Sequence, residues 1–578
     1  MDREILSKAK SWSDNQHFDI EFRNEIKALI SNNNDAELTD RFYKNLEFGT
    51  GGLRGVLGAG SNRMNIYTVR KATQGLADYV LEWTSKTGEK PAVAIAYDSR
   101  HKSDLFSREV ASVLAANGIT VHIYPELRPV PMLSFAVREL GTTAGIVITA
   151  SHNPPEYNGY KVYWSDGCQV IAPHDQAIID RVYAIKEFSE IKTVDFKTAL
   201  SQGLINYIPK SLEEIYFSKV DALTKGNKAY NKNFGIVYTP LHGAGNYPVR
   251  EMLKRRGFER ISVVKSQEKA DGDFPTVTSP NPEEPSALQI ARDSATKNDH
   301  LIIGTDPDAD RIGIMVMHEG KWHKINGNQI GQLILDYYLD KLKETGTLPA
   351  DGVFVTTIVT STLGEEIASS YGIRTEETLT GFKYIGSVIR ELEMKGKGTF
   401  IFGTEESHGY LMGDFVRDKD AVIASTIFAE MCAELHQNGL TAIDRLDQIH
   451  LKHSYHSDSL INKVFKGQAG AQKIIDIMAF LRKSPLESLA GIPVLSVKDY
   501  LEKKVIDRKT GNVTGFTSQP ESNVLAFYLE DGSRITARPS GTEPKIKFYF
   551  NLRGDDPQTL FKKKNDFEAD FERIISQA

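Results

Sequence analysis

Apolar residues along this chain fall into two alternating rhythms: short β-branched runs, then stretches where apolar positions recur every three or four residues. Ala92-Val-Ala-Ile-Ala96 reads as a buried strand. After it, Phe106, Val110, Val113 and Leu114 fall at helical spacing up to Gly118, before Ile119-Thr-Val-His-Ile123. The alternation returns with Phe234-Gly-Ile-Val-Tyr238, a helix over 249–256 capped by Gly257, and Ile261-Ser-Val-Val264. A helix near 285–295 then leads into the strand that starts at Leu301. A third round uses Val353-Phe-Val-Thr-Thr357 and Thr399-Phe-Ile-Phe402. Strands alternating with helices predict parallel sheets. The three α/β units share this rhythm without a residue-level repeat.

After Leu451 the pattern changes. A helix over 472–483 precedes Val524-Leu-Ala-Phe-Tyr-Leu529, an Asp531-Gly532 turn, Arg534-Ile-Thr-Ala537, Ile546-Lys-Phe-Tyr-Phe550 and a terminal helix. Asp-Gly between alternating apolar runs signals a hairpin, so this portion reads as a separate α+β domain. The polar stretches 417–420 and 507–519 read as exposed loops.

Three of the strands run into loops with chemistry in them. Ala144-Gly-Ile-Val-Ile148 ends in Thr149-Ala-Ser151-His152-Asn153-Pro154. The proline stops the strand, and a hydroxyl is left in the loop at a strand's carboxyl end, where open α/β sheets place ligand chemistry. Ser, Asn and Pro are also ordinary turn formers. Leu301-Ile-Ile-Gly304 runs into Thr305-Asp306-Pro-Asp308-Ala-Asp310-Arg311. Carboxylates at alternate positions can converge on one hard cation. An EF-hand is excluded, because its sixth and twelfth positions would be Arg311 and Met317. Three crowded Asp side chains repel one another unless a cation or Arg311 neutralises them. Thr536-Ala-Arg538-Pro-Ser540-Gly541-Thr542-Glu-Pro544 offers the forked and main-chain donors that grip a phosphate, and is equally good turn chemistry.

Composition narrows the class. The chain has 578 residues, enough for about four ordinary domains. It is 40% hydrophobic and 25% charged, a globular balance. A formal net charge of −6 argues against nucleic-acid binding, while leaving room for a local basic cleft. Two cysteines, Cys168 and Cys432, are too few for a disulfide framework or zinc finger and suit a reducing compartment. No apolar run reaches the length of a membrane span and the start shows no signal-peptide pattern, so the expected location is cytoplasmic.

In this order the three motifs resemble the α-D-phosphohexomutase superfamily, most closely its phosphoglucomutase/phosphomannomutase family. Gly403-Thr-Glu405-Glu406-Ser407-His408-Gly409 resembles that family's sugar-binding loop, and the likeness extends back to Gly49-Thr-Gly-Gly-Leu-Arg54-Gly. The resemblance implies an α/β fold: three related α/β domains with mixed, mainly parallel sheets plus a C-terminal α+β domain, around a central cleft. Expected bounds are 1–210 with the phosphoserine loop, 211–320 with the metal loop, 321–450 with the sugar loop and 451–578 with the phosphate loop. It implies a mutase interconverting glucose 1-phosphate and glucose 6-phosphate through a phosphoserine and a bisphosphorylated sugar. Phosphomannomutase and phosphopentomutase activity remain alternatives.

The implied roles follow the matching positions. Ser151 is the phosphorylated serine; Asp306, Asp308 and Asp310 hold Mg²⁺, with the phosphoserine as a further ligand. Arg54 and Arg311 meet the phosphoryl group, and Lys161 takes part in proton transfer. Glu405 and Ser407 bind sugar hydroxyls, Lys383 approaches the substrate, and Arg538, Ser540, Gly541 and Thr542 hold the distal phosphate. His152 either assists proton transfer or orients Ser151; His242 is either a catalytic part or a satisfied turn histidine. Glucose 1,6-bisphosphate is the implied activator and intermediate. The partner is a small phosphosugar, with no nucleic acid or membrane, and the chain is a monomer or homodimer. Two rivals stand beside this: a phosphatase using Asp306 as nucleophile, which would need Thr or Val where Asp310 stands, and a non-catalytic sugar-phosphate binder.

Overall fold

The computed structural model describes residues 2–49, 51–465, 467–483, 486–540 and 545–577. They form two compact units: Met1–Ile325 with Gly386–Met394 and Gly409–Asn438, and Asn326–Ile385 with Lys395–His408 and Gly439–Ala578.

In the first unit, one sheet runs in the order Gly52–Val56, Tyr157–Trp164, Ala144–Ile148, Ala92–Tyr97, Thr120–Ile123, Ile205–Tyr207. The strands from Ala144–Ile148 onward lie parallel, as the strand–helix alternation predicts, while Gly52–Val56 and Tyr157–Trp164 each add antiparallel. Every residue of Ala144–Ile148 is buried. Burying each of its Ile and Val side chains contributes about 1.5–3 kcal/mol, which anchors the strand that delivers Ser151. A second sheet runs Lys321–Ile325, Ile312–His318, Leu301–Thr305, Ile236–Thr239, Ile261–Val263, with the last three parallel. Helix Ala421–Gln437 starts at Asp420, whose carboxylate accepts from the Val422 and Ile423 N–H groups. Its first thirteen residues are buried, so almost no polar face marks it out.

Three N-terminal helices, Arg3–Asp14, Ile20–Ser31 and Asp35–Phe42, escaped the pattern reading. They close over the first sheet's layer through aromatics: Trp12 stacks on Phe18 at 4.1 Å, and Phe18 meets Tyr67 edge-on at 4.7 Å.

In the second unit, Arg374–Thr378, Gly352–Thr357 and Thr399–Glu405 lie parallel. The C-terminal portion is a sheet of antiparallel strands, Tyr455–Val464, Lys545–Gly554, Arg534–Pro539, Leu525–Leu529, Ile492–Asp499, Lys504–Asp507 and Val513–Phe516 in spatial order. The Asp531-Gly532 hairpin forms as expected, with Gly532 at φ +82°. Helices Gly467–Lys483 and Pro557–Ile575 cover it through Ile477, Met478, Leu481, Phe567 and Phe571. The stretch 507–519 is not all loop: Val513–Phe516 pairs at the sheet's edge, and its exposure stands, with Phe516 78% exposed. Among the described residues no helix is long and apolar enough to cross a membrane.

Candidate active site

The serine loop opens where Ala144–Ile148 ends. Ser151 sits at φ +53°, a left-handed conformation unusual for a residue with a side chain, and is 4% exposed. Its Oγ donates to Asp306 Oδ2 at 2.8 Å and lies 3.3 Å from His152 Nδ1. Residues 155 positions apart in sequence are thus brought into hydrogen-bond contact.

Asp306, Asp308 and Asp310 are all buried, and their ligand oxygens lie within 4.8 Å of one another. The turn is shaped by Asp306 itself: its Oδ1 accepts from the Asp310 and Arg311 N–H groups, both at 3.0 Å. Both Asp306 oxygens thus accept hydrogen bonds, with a lone pair left on Oδ2 for a cation. Asp308 Oδ2 accepts from Lys161 Nζ at 2.9 Å and Thr149 Oγ1 at 3.2 Å. Asp310 Oδ2 lies 3.1 Å from Lys419 Nζ and 3.8 Å from Lys161 Nζ. Asp308 Oδ1 and Asp310 Oδ1 are buried and accept no hydrogen bond.

Those two buried oxygens in an all-oxygen donor set fit a hard divalent cation. Burial, then repulsion from Asp308 and Asp310, holds the Asp306 carboxyl well above the usual carboxylate range. Burial pulls Asp308 the same way but is outweighed, chiefly by Lys161, and its carboxyl falls below that range. Crowded carboxylates of this kind gain most when a cation joins them.

Register places the surrounding cations. Lys161 lies opposite Val147 on one neighbouring strand and Gly52 on the other. Its side chain is only 15% exposed, so it is no ordinary surface lysine. Arg54 lies opposite Gly159 and donates to Asn153 Oδ1 at 3.3 Å. A Cβ at Gly159 would meet the Thr149 carbonyl oxygen at 2.4 Å, so only glycine lets the loop and strand approach this closely. Arg311 ion-pairs with Glu283 and lies 3.8 Å from Asp310 Oδ1. Burial, reinforced by Arg311 and Arg54, pushes His152 well below the ordinary histidine value, leaving a neutral ring. His242 has Nδ1 at 3.0 Å from the Lys269 carbonyl and Nε2 at 2.9 Å from Thr276 Oγ1, the contacts of a satisfied turn histidine.

The expectation of an exposed loop at 417–420 fails: Arg417 is 1% exposed and Lys419 9%. Each charge finds a partner, although Glu393 itself is 54% exposed. Arg417 pairs with Glu393, Asp418 accepts from Tyr163 Oη at 2.6 Å and pairs with Lys419 at 3.0 Å, and Asp420 caps its helix. Lys419, overlooked in the sequence, is thereby set against Asp310. Its signal was a run of charges leading directly into a largely apolar helix. Arg100, at the end of another strand, was overlooked as well.

The second unit holds the other candidates. Glu405 Oε1 accepts from the Gly381 N–H at 2.8 Å, which joins the sugar-loop motif to the segment carrying Lys383. Lys383 is the second residue of helix Phe382–Lys395, and Ser407 lies in the turn after Thr399–Glu405. Burial and the neighbouring Glu405 push Glu406 up to about 7, against Lys547 and Arg538. Arg538 lies opposite Lys547, and the Ser540 N–H donates to the Lys545 carbonyl at 2.8 Å. Gly541 and Thr542 lie outside the described residues.

Comparison with known proteins follows the same order. Residues 45–189, 214–320 and 326–449 match the α/β/α domains I, II and III of phosphoglucomutase/phosphomannomutase, and 483–560 match its C-terminal domain. A phosphoglucomutase of Staphylococcus saprophyticus is 35% identical over 548 residues, 94% of this chain and 97% of that protein. One from Staphylococcus aureus is 38% identical over 535 residues, 91% of this chain and 93% of that one. In fold, the chain resembles the open form of the exocytosis-sensitive phosphoprotein parafusin, a phosphoglucomutase from Paramecium. That likeness has a TM-score of 0.67 at 19% identity and covers 92% of this chain and 95% of that one.

Proposed function

This chain belongs to the phosphoglucomutase/phosphomannomutase family, and on that premise we propose that it interconverts glucose 1-phosphate and glucose 6-phosphate through a phosphorylated Ser151. The observation that carries the reading is the Ser151 hydroxyl, 2.8 Å from one member of a buried three-carboxylate cluster and ringed by cations.

A phosphoryl group in flight spreads negative charge over three oxygens, so catalysis is mostly positioning and neutralisation. Asp306, Asp308 and Asp310, with the phosphorylated serine, are the residues that would hold Mg²⁺. Bound there, the ion would neutralise the phosphoryl oxygens. Arg54 and Arg311 supply fixed positive charge beside Ser151. A sugar hydroxyl attacks the phosphorus, its P–O bond forming as the P–Oγ bond of Ser151 breaks. The attacking hydroxyl gives its proton to the neutral Lys161 amine, and Ser151 Oγ, freed of phosphorus, takes a proton back from the resulting ammonium; we assign both transfers to Lys161, which lies against Asp308. Neutral His152 orients the serine. The bisphosphorylated sugar turns end for end and returns its other phosphate to Ser151. Glu405, Ser407 and Lys383 recognise the sugar, while Arg538 and Ser540, with Gly541 and Thr542, grip the phosphate that is not reacting.

A panel of glucose, mannose and pentose 1-phosphates, assayed for isomerisation, tests this. Glucose 1-phosphate should give the highest kcat/KM. A clear preference for mannose or pentose phosphate would overturn the glucose assignment, and release of inorganic phosphate without isomerisation would overturn the mutase reading.

A further inference from the structure

One buried arginine is spent entirely on the serine loop. Arg100 has no exposed side-chain surface, and its guanidinium carries five N–H groups. Nε and Nη2 donate to the Ser151 carbonyl at 3.2 and 2.6 Å, and Nη2 also donates to the Asn153 carbonyl. Nη1 donates to the Pro154 carbonyl at 2.8 Å and the Tyr157 carbonyl at 3.1 Å. Five donors thus meet four carbonyls of one loop, and none is left for a phosphate.

The arginine is itself fixed. Asp98 Oδ1 accepts from the Arg100 N–H at 2.9 Å and Ser103 Oγ at 2.8 Å, while Oδ2 lies 3.5 Å from Arg100 Nε. The Asp98 N–H donates to the Ile148 carbonyl at 3.1 Å, where the loop leaves its strand. At the far end Asn158 donates to Ser103 Oγ at 3.0 Å. The Phe274 ring packs 5.0 Å from the guanidinium carbon. Loop entry and exit are therefore tied to the same Asp98–Arg100 pair.

We propose that Arg100, braced by Asp98, is a positioning residue: it imposes the left-handed conformation of Ser151 that aims Oγ at Asp306, and it touches neither substrate nor phosphate. Left to itself, a non-glycine residue avoids that conformation. The serine must return to one geometry in both its phosphorylated and free forms, and five hydrogen bonds to the backbone hold it without using its side chain. Lysine cannot replace the fork, because a point ammonium offers three donors from one atom and cannot span four carbonyls.

The inference rests on Ser151 being the phosphorylated residue, so the test begins there. Dephosphorylated wild type, Arg100→Lys, Arg100→Ala and Asp98→Asn are mixed with glucose 1,6-bisphosphate, and phosphate on Ser151 is followed by peptide mass spectrometry. Arg256→Lys, a buried arginine paired with Glu430 and Asp221, serves as the structural control. Arg100→Lys should label Ser151 and turn over about a hundredfold more slowly, with KM within threefold of wild type, as expected for a misplaced reacting atom. Asp98→Asn should show a smaller loss of the same kind. Guanidinium below denaturing concentration should restore part of the Arg100→Ala rate and leave Arg256→Lys unchanged. Labelling of folded Arg100→Lys within threefold of wild type overturns the inference, as does an equal loss in Arg256→Lys. A wild type that never labels Ser151 overturns the proposed function itself.

Discussion

Asp420→Asn pits two opposing effects against each other at one buried carboxylate. Asp420 is fully buried and caps helix Ala421–Gln437, accepting from the Val422 and Ile423 N–H groups at 2.9 and 3.0 Å and from Tyr216 Oη at 2.8 Å. The helix terminus and these donors favour the ionised form, by up to about 2 kcal/mol for the terminus. Burial disfavours it and wins: Asp420 is pushed up to about 6 from its ordinary 3.8. Tyr216 is pushed well above its ordinary value, chiefly by burial and then by Asp420, so it stays a donor throughout. Because the folded pKa is the higher, the folded protein binds the proton more tightly. Stability is fully present below about 4, falls as pH rises through 6 and is level above. The difference of 6 − 3.8 = 2.2 units corresponds to about 3 kcal/mol as an upper value. Asparagine keeps the cap at Oδ1, where Val422, Ile423 and, at 3.0 Å, Tyr216 Oη donate, puts an amide donor in place of Oδ2, and cannot ionise. The variant should therefore match wild type at pH 4 and exceed it by about 1–3 kcal/mol at pH 8, measured as chemical unfolding of the first unit. A loss of 1 kcal/mol or more at pH 8 would show that the cap outweighs desolvation, and the reasoning would be wrong.

Three further outcomes follow from the site. Chelation of divalent metal should abolish turnover and leave circular dichroism unchanged, because the carboxylates share one short turn; full activity in excess chelator rejects the metal site. Asp308→Ala should also abolish turnover, and it leaves Lys161 without its 2.9 Å partner, so unfolding should show an added loss of about 1–3 kcal/mol. Arg538→Ala should lower kcat/KM ten- to a hundredfold, for about 1.5–3 kcal/mol of lost phosphate contact, and release bisphosphate into solution; Arg538→Lys should recover only part. A change in kcat/KM within twofold and no released intermediate would make that loop a plain turn.

Strand–helix alternation was enough to place Ala144–Ile148 to the residue and to find the loop behind it. The acidic turn was legible for the same reason, since a buried run ending in alternate carboxylates has few structural uses. Lys419 was misread because its neighbours 417–420 look solvated until Glu393, Tyr163, Asp310 and Tyr216 supply partners from distant parts of the chain. Arg100 was invisible because its partners are backbone carbonyls, which no side-chain pattern encodes. The N-terminal helices were missed because few of their residues are buried: helix Ile20–Ser31 buries only Ile26.

The central claim, that Ser151 stores the phosphoryl group, is tested most directly by phosphopeptide mapping of the enzyme during turnover of glucose 1-phosphate. Phosphate should appear on Ser151 in the peptide spanning 149–161, and Ser151→Ala should carry none and be inactive. Stoichiometric phosphate on another residue of fully active enzyme, with Ser151 bare, would contradict the account.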